Sequence, residues 1–134
     1  MIDTSPTTSQ PKTILVIEDE QLLINALTKR LTDAGYKISV ARDGEEGLQK
    51  ALTEKPDLLL VDIVLPKMDG ITMLSKIRQD PWGKSVKAII LSNLSDEAKV
   101  ADALSQGVRD YLVKTDWKLE DIVKKVKEKL GGNN

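Results

Sequence analysis

Five residues could do chemistry together in this chain: Glu18, Asp19, Asp62, Ser92 and Lys114. Each follows a short apolar run. "TILVI" (13–17) leads into Glu18 and Asp19, "LLLV" (58–61) into Asp62, "KAIIL" (87–91) into Ser92 and "DYLV" (110–113) into Lys114. Carboxylates about 4 Å apart repel by roughly 4 kcal/mol per pair at an effective dielectric near 20. Three of them gathered together call for a cation. The 134 residues contain neither histidine nor cysteine, so the available ligands are hard oxygens, which favour Mg²⁺ with Mn²⁺ as a substitute. A metal beside one carboxylate, with a lysine and a hydroxyl opposite, would neutralise a phosphoryl group arriving in line. Carboxylates can act as nucleophiles and form aspartyl-phosphates, and positioning with electrostatics supplies most of the catalysis in phosphoryl transfer.

Asp62 is the hardest of the five to explain away. Leu58 to Val61 read as a strand buried on both faces, and an unpartnered charge at its end is costly. Pro66 and Gly70 shape the loop that follows. The other four have plainer readings. Asp19 could be the N-cap of a helix, Ser92 a turn residue and Lys114 a solvated cation. What counts is the conjunction, because five suitable residues at four strand ends are far less expected by chance than any one of them.

The elements that must position this set alternate along the chain. Besides the four runs above, "KISVA" (37–41) is β-rich, and it leads only to Arg42 and Asp43, as an edge strand away from the site would. Helical stripes lie between the runs. Leu23, Leu27, Leu31 and Ala34 form the first, closed by Gly35 as C-terminal cap. Asp43 with Glu46 resembles a capping box opening a helix that carries Leu48, Ala51 and Leu52. Ile71, Leu74 and Ile77 form the third stripe; Ser95 caps a fourth that Gly107 ends. Leu119, Ile122, Val123, Val126 and Leu130 form the fifth. Five strands alternating with five helices predict a parallel sheet covered on both faces. Ligands in such folds bind beyond the carboxyl ends of the strands, where the five residues lie.

On "VIEDE" (16–20), "LLLVDIVLPKMDG" (58–70), "IILSN" (89–93) and "DYLVK" (110–114), the chain resembles a response-regulator receiver domain. The resemblance spans residues 12–130, between a disordered tail at 1–11 and a short tail at 131–134. It implies a flavodoxin-like doubly wound α/β fold with strand order 2-1-3-4-5. It also makes Asp62 the phosphoryl acceptor and Asp19 a direct Mg²⁺ ligand beside Asp62. Glu18 would hold a metal-bound water, and the Val64 carbonyl would complete the site. Ser92 would bind a phosphoryl oxygen and Lys114 would pair with the phosphate; Ser92 and Tyr111 would form the switch. Glu18, where the family often has Asp, is a mild departure. Thr115 is a sharper one, because proline usually follows the lysine, and a cis Lys114–Thr115 bond is the expectation. Asn93 is larger than the residue usual after the hydroxyl. By the same resemblance Val64 and Leu94, two beyond Asp62 and Ser92, would flank the phosphoryl group, and both are apolar.

The implied donor is a phosphohistidine on a sensor histidine kinase or a phosphotransfer protein, and the implied output is a change in binding to an unknown downstream protein. Net charge is −1 with no long basic run, so neither nucleic acid nor membrane is expected as a direct partner. "MIDTSPTTSQP" lacks the basic start and apolar stretch of a signal peptide, and a cytoplasmic monomer is the default. "GGNN" ends the chain just past the fifth stripe, so the expectation is a stand-alone receiver, or one whose effector was cut away. It would be a signalling switch and not an enzyme, acting only on its own phosphoryl group. Two other classes stand beside it: a pseudo-receiver that takes no phosphate, and a metal-dependent phosphatase, for which "EDE" and "DIV" lack the Asp-x-Asp such enzymes typically need.

Overall fold

Strands buried on both faces need apolar residues at every position, not every second one, and the central runs have them. In the computed structural model, which describes residues 11–92, 101, 105, 108, 110–113 and 118–131, the runs become β1 (Thr13–Ile17), β2 (Lys37–Ala41), β3 (Leu58–Asp62), β4 (Lys87–Ser92) and β5 (Asp110–Val113). They form one parallel sheet in the order β2-β1-β3-β4-β5, a flavodoxin-like α/β arrangement. Four helices are described: α1 (Gln21–Asp33), α2 (Gly44–Glu54), α3 (Gly70–Arg78) and α4 (Leu119–Lys129). Of the stripe between Ser95 and Gly107, Ala101 and Ser105 are helical; the rest lies outside the described residues.

Alternate residues of the central strands feed two separate cores. Leu15, Ile17, Leu59 and Val61 pack with Ala51 of α2 and with Met73, Leu74 and Ile77 of α3. Ile14, Val16, Leu58 and Leu60 pack with Leu27 and Leu31 of α1 and with Ile122 and Val126 of α4. Every residue of β3 is buried, whereas β2 at the sheet edge is mostly half-covered. Burying a Leu, Ile or Val side chain fully is worth about 1.5–3 kcal/mol, so β3 is the rigid axis on which Asp62 is mounted.

Local signals explain the helix ends. After α1, Gly35 takes φ 101°. The Tyr36 amide donates to the Leu31 carbonyl and the Gly35 amide to that of Thr32, a Schellman closure that glycine makes cheap. Asp43 caps α2 by accepting from the Glu46 amide at 2.8 Å. Glu46 Oε1 accepts from the Arg42 amide, one residue earlier than a capping box requires. Leu52, read on the apolar stripe of α2, is exposed; Gly44, Gly47 and Ala51 are the buried positions of that helix. Asp69 caps α3 through the Thr72 amide and hydroxyl.

Candidate functional site

Strand register alone puts two carboxylates side by side. β1 and β3 pair Ile17 with Val61, so the next residues, Glu18 and Asp62, come side by side at the carboxyl edge. Both are buried, at 1% and 4% exposure, while Asp19 is exposed. Each of the three offers a carboxylate oxygen, and these atoms all lie within 4.8 Å of one another. At that separation a pair repels by about 3.5 kcal/mol at an effective dielectric near 20.

Asp19 is not the N-cap of α1. That position belongs to Glu20, whose side chain makes no cap bond. Glu18 folds over the helix start instead, its Oε2 accepting from the amides of Asp19 and Glu20, each at 3.1 Å. The buried carboxylate thus fixes the backbone of its neighbour, and the Asp19 side chain is left to the pocket. Asp62 Oδ1 accepts from the Val64 amide at 3.1 Å, which ties the start of the following loop to the same group.

That loop is held close by glycine. A Cβ at Gly70 would overlap the Asp62 carbonyl oxygen and lie 2.8 Å from Val61 Cγ1, so only glycine lets α3 start against the end of β3. The Gly70 amide donates to the Ile63 carbonyl at 2.8 Å. Lys67 sits at φ 68°, in the left-handed region, and the Met68 amide donates across it to the Pro66 carbonyl at 2.7 Å, closing a three-residue turn. Val64, 55% exposed, lies on the rim of this loop, and Leu22, 79% exposed, lies in the first turn of α1 beyond Asp19.

The donor set fits a small hard cation. Direct Mg²⁺ ligands at about 2.0–2.1 Å in an octahedron lie roughly 3–4 Å apart, and an intervening water reaches farther. Three carboxylate oxygens within 4.8 Å match that range.

Of the residues singled out from the sequence, the structure brings Glu18, Asp19 and Asp62 together. The backbone of Ser92 lies at the end of β4, one position past the Leu91 that pairs with Asp62, and it pairs with Val113 of β5, while Tyr111 pairs with Ile90 two positions earlier. Lys114, Thr115 and their peptide bond, together with Asn93 and Leu94, lie outside the described residues. The sequence pattern missed Gly44. It also set Asp43 aside with the edge strand, whereas Asp43 Oδ2 lies 3.8 Å from Lys67 Nζ of the Asp62 loop. The α2 N-terminus meets this loop, a contact that no period or local spacing encodes.

A parallel sheet of this order with a carboxylate cluster at its carboxyl edge suits a bound cation and phosphoryl chemistry, and the comparisons supply the class. Residues 14–127 match the family model for the response regulator receiver domain. The chain belongs to that family, the receiver domains of two-component signalling. It is 42% identical over 105 residues to the alkaline phosphatase synthesis transcriptional regulatory protein PhoP of Bacillus subtilis, an alignment covering 77% of this chain and 42% of that one. Against the response regulator ArlR of Staphylococcus aureus the identity is 35%, covering 85% and 50%. The chain therefore spans about half the length of the curated relatives it matches. The receiver domain of the sensor histidine kinase PA1611 from Pseudomonas aeruginosa, solved with a magnesium ion in its active-site cleft, superposes with a TM-score of 0.77. It is 27% identical, covering 90% of this chain and 98% of that one.

Proposed function

We propose that this receiver takes a phosphoryl group from a phosphohistidine onto Asp62. The observation that carries the proposal is the convergence of the Glu18, Asp19 and Asp62 carboxylates at the end of the fully buried β3. In the transfer an Asp62 oxygen attacks phosphorus in line, a P–O bond forms, and the P–N bond to the donor imidazole breaks. Asp19, Asp62 and the Val64 carbonyl would hold Mg²⁺, with Glu18 acting through a bound water; Mn²⁺ would substitute. Bound there, the cation offsets carboxylate repulsion and the charge on the phosphoryl oxygens. Lys114 would pair with the remaining phosphoryl charge and Ser92 with an oxygen, and Tyr111 would follow Ser92 to convey the state of the site.

The partners in this reading are a sensor histidine kinase or phosphotransfer protein as donor and a downstream protein as target. The domain itself makes no direct contact with nucleic acid, in keeping with its net charge of −1. In this reading the receiver acts in the cytoplasm as a monomeric switch that also removes its own phosphoryl group. Incubation with acetyl phosphate and Mg²⁺ tests the proposal. Wild type should gain one phosphoryl group by mass spectrometry and Asp62→Asn none. Full labelling of the Asn variant would move the acceptor elsewhere, and no labelling of wild type would favour a pseudo-receiver.

A further inference from the structure

The sheet places α2 away from the chemistry. It follows the edge strand β2, and β1 stands between that strand and β3. Its first turn nonetheless grips the loop that runs from Asp62 to α3. The Gly44 amide donates to the Pro66 carbonyl at 3.2 Å. A Cβ at Gly44 would overlap the Met68 carbonyl oxygen and lie 2.6 Å from the Met68 carbonyl carbon. Lys67 Nζ lies 3.8 Å from Asp43 Oδ2. These contacts surround the one residue of the loop, Lys67, whose φ of 68° is uncommon for a residue with a side chain. Such a conformation persists when its surroundings over-determine it, and here they are supplied by α2.

The other end of the loop is pinned to the site. Asp62 Oδ1 accepts from the Val64 amide, and the Ile63 carbonyl accepts from the Gly70 amide. Two residues separate Val64 from Lys67, so a displaced loop apex moves the backbone next to Asp62. We propose that Gly44 and the Asp43–Lys67 pair are positioning residues for the metal-holding end of this loop, so that α2, which lends no ligand, sets Mg²⁺ affinity. This rests on the functional reading above, in which Val64 and Asp62 hold the ion.

Calorimetric titration with Mg²⁺ alone, at a temperature where thermal melts show each variant folded, provides the test. Gly44→Ala should weaken Mg²⁺ binding about tenfold or more, the usual scale for removing a group that orients a ligand. Lys67→Met and Asp43→Asn, which keep the side-chain stem and the helix cap respectively, should each weaken it about twofold, as suits a solvated ion pair. Amide exchange at Val64 in the metal-free protein should quicken in Gly44→Ala. A variant that melts lower but binds Mg²⁺ as wild type does would reduce the contact to packing and overturn the proposal. If Gly44→Ala fails to fold, unchanged affinity in both charge variants overturns it equally. Failure of wild type itself to bind Mg²⁺ would count against the functional reading, and the exchange rate at Val64 would still decide whether α2 tethers the loop.

Discussion

The two edges of the sheet both carry carboxylates, and they treat them differently. At the amino edge, Asp57 precedes β3 and is settled within the chain. Its Oδ2 accepts from the Thr13 amide at 2.8 Å and the Thr13 hydroxyl at 3.2 Å, and its own amide donates back to the Thr13 carbonyl. At the carboxyl edge, five residues later on the same strand, Asp62 meets Glu18 and Asp19 with oxygens within 4.8 Å. One edge joins a carboxylate to donors across β1 and β3; the other gathers like charges. A lone acidic residue at a strand end is therefore a turn device, and it becomes a site when register brings others beside it.

Truncation inside the strand that joins the edges should have the largest effect. Leu60→Ala, at a position with no exposure, should cost about 2–5 kcal/mol in urea unfolding. Ile38→Ala on half-covered β2 should cost clearly less. Equal losses would mean that β3 is not the rigid axis of the site.

Opposite signs are expected at the two edges in chelator. Asp62→Ala or Asp19→Ala relieves repulsion and should stabilise the metal-free fold by about 1–3 kcal/mol, after discounting the Coulomb figure for solvent. Asp57→Ala removes the bonds from Thr13 and should destabilise by about 0.5–1.5 kcal/mol. Thermal melts would show both; loss of stability at all three positions would erase the contrast.

A smaller effect is kinetic. Val64, at the rim, and Leu94 cannot orient a water in line with phosphorus, so self-dephosphorylation should be slow. Val64→Asn with Leu94→Glu should speed it about tenfold, equivalent to roughly 1.4 kcal/mol of barrier. Wild type decaying as fast as the double variant would contradict this reading of Val64 and Leu94.

The sequence carries the carboxyl edge better than its surroundings. Continuous apolar runs mark the central strands β1 and β3 to within one residue, because strands covered on both faces must be apolar throughout; β2, β4 and β5 are legible to the same precision from their β-rich composition. The carboxylates at their ends needed only parallel register to meet. Asp19 was ambiguous until Glu18 was seen to hold the helix start in its place. The grip of Gly44 on Met68 was illegible, since it joins segments about two dozen residues apart through backbone atoms. The left-handed Lys67 was illegible too, since nothing in a lysine announces a positive φ.

The central claim is that the carboxyl edge is a repulsive cluster completed by a cation, and melting wild type and Asp62→Ala with and without Mg²⁺ tests it most directly. Binding stabilises by RT ln(1 + [L]/Kd), about 2.7 kcal/mol at a hundredfold excess over Kd. Wild type should gain a clear rise in melting temperature with Mg²⁺. Asp62→Ala should start higher in chelator and gain little. Melting curves of wild type that Mg²⁺ leaves unmoved, or an equal rise in both proteins, would contradict the account.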